Sequence, residues 1–216
     1  MKDFKVAIFF DLDGTLTDPK LGIVGSIRYA LDALDVADQP DDLDWCIGPP
    51  LQESFAKMVG PERMEEAIAA YRQRYSTVGL FENTVYDGIP ALLTDLKSRG
   101  IALYVATSKP RLYANEILEH FELAPFFSGI FGAEMDGTRG NKAELLSYAL
   151  KMSGETADLS LMIGDRKYDI LGGKANQMKT LGVLWGYGDR AELELAGADL
   201  IVDDLKALAD RLKSSE

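Results

Sequence analysis

Two aspartates stand one residue apart at the end of an apolar run, in FFDLDGTLTD at residues 9–18. Like charges this close repel, and pairing them at a buried strand end calls for a compensating cation. Two further apolar segments end in a similar way. IALYVA (101–106) is followed by Thr107, Ser108 and Lys109, and LSLMI (159–163) by Gly164 and Asp165, with Asp169 four residues on. In open α/β sheets, ligands bind at the carboxyl ends of the strands. Three strands would therefore deliver carboxylates, hydroxyls and a lysine to one rim.

These groups suit phosphoryl transfer. A carboxylate can attack phosphorus and form an acyl phosphate. Mg²⁺ is a hard cation, held by one or two carboxylates together with substrate phosphate and water. Asp11 and Asp165, from neighbouring strand ends, are the natural ligands. Asp13 lies two residues beyond Asp11, on the same side of an extended pleat, and is placed to protonate a leaving oxygen and then activate water. Gly14 permits a sharp exit turn. Thr107 and a lysine would hold the transferring phosphoryl oxygens, where negative charge concentrates.

The elements that position these residues follow from hydrophobic patterning. Residues 6–10, 101–106, 159–163, 179–185 and 200–202 are continuous apolar runs that predict buried strands, with a further short apolar piece at 129–132. Helical periodicity covers 22–34, 51–59, 63–75, 89–99, 111–120, 142–152, 190–196 and 205–213, and another helix begins at 169–175. Alternating strands and helices, with strands apolar on both sides, predict an α/β fold: a doubly wound parallel sheet covered on both faces. Residues 19–82 contain helices and no convincing strand, as an insertion would.

Composition narrows the partners. The 216 residues carry 47% hydrophobic and 27% charged side chains and a formal net charge of −12. That charge disfavours nucleic acid and anionic membranes, and a phosphate substrate would need local cations. The single cysteine, Cys46, leaves no intrachain disulfide. The apolar run near the start is too short for a signal peptide, and no run approaches a membrane span. The expected location is cytoplasmic, the expected partner a small phosphorylated metabolite, and the expected state a monomer or homodimer. No G-x-x-x-x-G-K-[ST] or G-x-G-x-x-G motif occurs.

DLDGT after an apolar strand, a strand-terminal Thr107, Lys142 in GNKAELL opening a helix, and GDRKYD in that order resemble the haloacid dehalogenase superfamily of phosphohydrolases. The resemblance spans essentially the full chain. It implies a Rossmann-like core, residues 1–17 plus 86–216, with an inserted all-helical cap at 18–85. It also implies Asp11 as nucleophile, Asp13 as general acid/base, Asp165 and the backbone carbonyl of Asp13 as Mg²⁺ ligands, Asp169 as an outer ligand or supporting carboxylate, and Thr107 with Ser108 at the phosphate. The family's phosphate-neutralising lysine falls at the later position, Lys142, which leaves Lys109 as a rim residue. Within the cap, IGPPLQESF (47–55), with Pro49 and Pro50, is similar to a subgroup of bacterial 5′-nucleotidases, and GVLWGYG (182–188) recurs there and in phosphoglycolate phosphatases. The substrate expected from this resemblance is a nucleoside 5′-monophosphate. The rivals are phosphoglycolate, whose carboxylate Arg28 or Lys57 could pair, then a sugar-phosphate phosphatase or mutase, and a non-enzymatic phosphate-binding module. A dehalogenase is disfavoured because it typically lacks the second aspartate.

Other residues have plainer readings. Phe55, Tyr71 and Tyr75 could stack on a base, but cap core is favoured. His120 suits a helix C-terminus, Cys46 core filling, Gly172 and Gly173 close helix packing, and Asp203 and Asp204 a solvated loop.

Overall fold

The computed structural model describes residues 7–213. In chain order its elements are β1 (Ala7–Phe10), β2 (Thr17–Asp18), α1 (Lys20–Ala33), α2 (Leu51–Val59), α3 (Met64–Arg74), β3 (Thr84–Val85), α4 (Ile89–Ser98), β4 (Ala102–Pro110), α5 (Arg111–His120), β5 (Gly129–Ala133), α6 (Lys142–Ser153), β6 (Ser160–Gly164), α7 (Lys167–Ala175), β7 (Lys179–Val183), α8 (Arg190–Leu195), β8 (Leu200–Val202) and α9 (Leu205–Lys213). Val6, which the sequence places in the first strand, lies outside the described residues.

The chain divides into two units, residues 18–84 and the residues on either side of them. The larger unit is built on a six-stranded sheet in the order β5-β4-β1-β6-β7-β8. Every adjacent pair is parallel. Ala7, Ile8, Phe9 and Phe10 of the central β1 are all at most 1% exposed, so the strand is covered on both faces, as its unbroken apolar sequence requires. Phe9 stacks on Tyr104 with ring centroids 4.8 Å apart. It shares a core cluster with Leu145, Leu146 and Ala149 of α6. Register then fixes where the chemistry falls. Phe10 pairs with Val105 on one side and Ile163 on the other, so Asp11, Ala106 and Gly164 stand level, one residue further along.

One boundary differs from the sequence reading in a way that matters. The strand expected to stop at Ala106 continues to Pro110, with a register shift against β5 between Thr107 and Pro110. Asp203 and Asp204 lie exposed in the loop before α9, as expected, and Asp204 also accepts the Ala207 N–H at 2.7 Å and caps that helix. Strands β2 and β3 pair in a separate two-stranded sheet, where the chain leaves and re-enters the larger unit.

The smaller unit holds α1, α2, α3 and a π-helical turn at Tyr75–Gly79. Its aromatic residues pack on one another. Phe55 meets Tyr71 edge-on at 6.0 Å, and Tyr71 stacks on Tyr75 at 5.0 Å. All three are at most 4% exposed, so they form the core of this unit. Arg74 makes a forked ion pair with Glu82 at 2.7 and 3.0 Å and donates to the Ser26 hydroxyl at 3.2 Å. Phe55→Ala is expected to destabilise the protein by roughly 3–5 kcal/mol through loss of buried area and the cavity left behind. Leu21→Ala, at a residue 74% exposed on α1, should change stability by less than about 0.5 kcal/mol. Urea denaturation midpoints of the two variants check this.

Candidate active site

The turn after β1 is tightly wound. The N–H groups of Thr15, Leu16 and Thr17 all point at the Leu12 carbonyl, at 3.2, 2.9 and 3.0 Å, and Gly14 N–H donates to Thr17 O at 2.7 Å. The extended pleat therefore ends at Phe10, and Asp13 does not sit beside Asp11 through strand alternation as the sequence suggested. The turn carries it across to Lys109, whose Nζ lies 2.8 Å from Asp13 Oδ2. Lys109 is accordingly no rim residue: its side chain is 5% exposed. Gly14 has φ +81°, and a Cβ there would lie 2.2 Å from Asp165 Oδ2. Only glycine allows both that turn and that close approach.

Asp165 follows β6 and is fully buried. Its Oδ1 accepts from the Thr15 hydroxyl at 3.2 Å and its Oδ2 from the Tyr187 N–H at 2.8 Å. The loop carrying Tyr187 is braced by Trp185, whose indole N–H donates to the Thr15 carbonyl at 3.1 Å. It also contains Gly186, where a Cβ would stand 2.4 Å from Asp165 and from the Gly14 carbonyl. Asp169, in the first turn of α7, accepts the Arg166 N–H at 3.1 Å. It thus caps its own helix while presenting its other oxygen to the site.

Lys142 opens α6 behind Asn141, whose side chain accepts the Ala143 and Glu144 N–H groups as a helix cap. From there its ammonium reaches three acceptors: the Ala106 carbonyl at 2.9 Å, Asp11 Oδ1 at 3.0 Å and Asp169 Oδ1 at 2.8 Å. Burial alone would lower its pKa, but Asp11 and Asp169 outweigh burial and hold it above its ordinary value. Thr107 is 2% exposed, beside the carbonyl that Lys142 binds, and its hydroxyl accepts the Lys109 N–H at 3.2 Å. It does not cap α5, which begins after Pro110 without a side-chain cap. Ser108 is half-buried.

Oxygens of Asp11, Asp165 and Asp169 lie within 4.8 Å of one another. Burial, then repulsion from Asp169 and Asp11, pushes Asp165 well above the usual carboxylate range. Burial also raises Asp169 to about 6 against the pull of Lys142, and it raises Asp13 against that of Lys109. Apart from the lysine's charge, Oδ1 of Asp11 and of Asp169 lack a hydrogen-bond donor. Counting Asp13, four carboxylates face two ammonium groups. An all-oxygen donor set short of two positive charges fits a hard divalent cation.

The sequence-predicted residues of the other unit are engaged there. One Nη of Arg28 donates to the carbonyls of Pro40 and Asp41, at 3.4 and 3.0 Å. Lys57 lies 5.3 Å from the centre of the Trp45 ring. Lys57 and Trp45 line a cavity of about 510 Å³ with Leu31, Val36 and Met58. Pro49 and Pro50 are half-buried, and Pro50 immediately precedes α2. Cys46 is buried and its thiol pushed up to about 11, so it is inert as a nucleophile. Sequence reasoning missed the supporting roles of Thr15, Lys109, Gly186 and the Tyr187 N–H. Gly186 and Tyr187 left a trace in the GVLWGYG resemblance, Thr15 in the DLDGT motif, and Lys109 in its place after the IALYVA strand.

If cation deficit governs this site, millimolar divalent cation raises the melting temperature of the wild-type protein. Saturation at about 100 times Kd corresponds to roughly 2.7 kcal/mol. The shift should shrink in Asp165→Asn, and in Gly186→Ala, whose methyl displaces that carboxylate. Thermal melts with and without the cation test both.

A family model described as haloacid dehalogenase-like hydrolase matches residues 8–183. A 5′-nucleotidase of Pseudomonas aeruginosa is 46% identical over 96% of this chain and 95% of its own length. The tyrosine-protein kinase PtkA of Mycobacterium tuberculosis is 43% identical over 84% of this chain, which spans 62% of that protein's length. Among solved structures, a predicted phosphatase from Clostridium acetobutylicum superposes with a TM-score of 0.92 at 41% identity, covering 97% of this chain and 99% of that one. With these likenesses set beside the acid-lined rim, the chain belongs to the haloacid dehalogenase-like hydrolase family, as one of its phosphatases.

Proposed function

We propose that the protein is a Mg²⁺-dependent phosphomonoester hydrolase acting on nucleoside 5′-monophosphates through an aspartyl phosphate on Asp11. The observation that carries the mechanism is the buried group of Asp11, Asp165 and Asp169, with Lys142 bridging two of them. Asp11, Asp165 and Asp169 would hold the Mg²⁺, with the Asp13 carbonyl. Bound there, it offsets their repulsion and the charge of the phosphate.

The remaining work falls to the protein's own groups. A carboxylate oxygen of Asp11 attacks phosphorus as the ester P–O bond breaks. Asp13 gives its proton to the leaving alcohol oxygen, and an acyl phosphate remains on Asp11. Asp13, now a carboxylate, takes a proton from water as that water's oxygen attacks phosphorus. The bond to Asp11 breaks, phosphate departs, and both aspartates return to their starting state. Lys142 and the Thr107 and Ser108 hydroxyls bind the equatorial phosphoryl oxygens. Residues 18–85 act as the cap that recognises the leaving group. The nucleotide preference rests on the 46%-identical relative named 5′-nucleotidase and on the IGPPL stretch.

The test is phosphate release from nucleoside 5′-monophosphates, phosphoglycolate, hexose phosphates and pyrophosphate, with Mg²⁺ and with EDTA. Nucleoside monophosphates should turn over best, EDTA should stop the reaction, and Asp11→Asn should lower kcat by roughly 10⁴-fold or more. Because one relative is named a tyrosine kinase, ATP with a tyrosine peptide is a separate arm. Label appearing on the peptide and not in phosphate would replace hydrolysis by transfer.

A further inference from the structure

We infer that Lys109 is the positioning residue for Asp13: it anchors one carboxylate oxygen so that the other is held toward the reacting phosphoryl group. This rests on the acid/base role proposed for Asp13. The argument begins in the strand. In regular β structure Lys109 would share a face with Thr107. Here Thr107 pairs with Gly132 but Pro110 pairs with Ala133. Three residues advance on β4 for one on β5, so Ser108 and Lys109 are extra. Such bulges re-aim side chains. This one depends on Gly132, because a Cβ there would lie 2.7 Å from both the Lys109 carbonyl and the Arg111 Cα. The chain can fold back over β5 only where no side chain stands.

The re-aimed ammonium lies 2.8 Å from Asp13 Oδ2, with the two side chains 5% and 14% exposed. Burying either charge alone would be costly, and the pair offsets that cost. Asp13 Oδ1 is buried and has no hydrogen-bond partner. One oxygen is tied and the other is not, the arrangement an acid/base carboxylate needs if a single oxygen is to carry the proton. Lys142 cannot stand in for Lys109, because its ammonium is committed to the Ala106 carbonyl, Asp11 and Asp169. The two lysines therefore divide the site, one serving the attacking carboxylate and the other the proton-transferring one.

The contrasting role for Lys109 is direct binding of phosphate, and a double-mutant cycle separates the two. Wild type, Lys109→Met, Asp13→Asn and the double variant are assayed on 4-nitrophenyl phosphate and on the best alkyl monoester, with Mg²⁺ present. Acting through Asp13, Lys109→Met lowers kcat on the alkyl ester by roughly 10- to 100-fold, with KM changed by less than about threefold. The phosphorylation step on the aryl ester, whose leaving group needs no proton, is slowed less. The double variant is no slower than Asp13→Asn alone. If the two losses instead multiply, or if the main effect is a raised KM with weaker inhibition by inorganic phosphate, Lys109 binds phosphate independently and the inference falls. It falls equally if Lys109→Met turns over like wild type. Should Asp13→Asn itself retain full activity, the acid/base role fails first and takes this inference with it. Lys109→Gln, which keeps a donor toward Asp13, runs the same cycle where the methionine variant does not fold.

Discussion

Carboxylate repulsion at one sheet edge is the constraint around which this protein is arranged. At an effective dielectric of about 20, two unit charges about 5 Å apart repel by about 3 kcal/mol. Asp11, Asp165 and Asp169 crowd within that range while buried. Lys142 relieves part of the repulsion from below, touching two of the three. Backbone and hydroxyl donors relieve more: the Tyr187 and Arg166 N–H groups and the Thr15 hydroxyl each serve one carboxylate. What remains is a deficit of positive charge. That deficit fits a divalent cation.

Holding such a cluster together requires a platform that does not yield. The parallel sheet supplies it, because β1 is buried on both faces and locked between β4 and β6. The register that sets Asp11, Ala106 and Gly164 level also lets one lysine reach an aspartate, a carbonyl and a second aspartate at once. Glycines then clear space where side chain must meet backbone. At Gly14 and Gly186 the missing Cβ atoms leave the volume that the Asp165 carboxylate occupies. The site is thus made as much by what is absent from the turn and the loop as by the charged residues themselves.

Much of this was legible in the chain. Apolar runs marked the strands because burial on both faces leaves no room for alternation. Arg111–His120, Leu51–Val59 and Leu205–Lys213 matched their helical periodicity residue for residue. The aromatic residues of the smaller unit packed as core, as their burial among helices favoured. What escaped was wherever the chain departs from a period. Residues 12–17 form a turn closed on one carbonyl, so pleat arithmetic could not place Asp13. The bulge at the end of β4 is invisible in a sequence whose apolar run had already stopped, and Lys109 passed for a rim residue.

By itself, the sequence determined the layered α/β architecture, the insertion after the first strand, and which aspartates and which lysine would meet. The architecture and the aspartates follow from periodicity and from the rule that parallel strands bring their ends to one edge, and the lysine from the family resemblance. Only the tertiary structure decided how the charges pair. Asp13 with Lys109, Asp165 with the Tyr187 N–H, and Lys142 with Asp11 and Asp169 join residues 22 to 131 positions apart. Electrostatic pairing depends on distances of a few ångströms, and those are set by turns, bulges and glycine gaps that carry no repeating pattern to read.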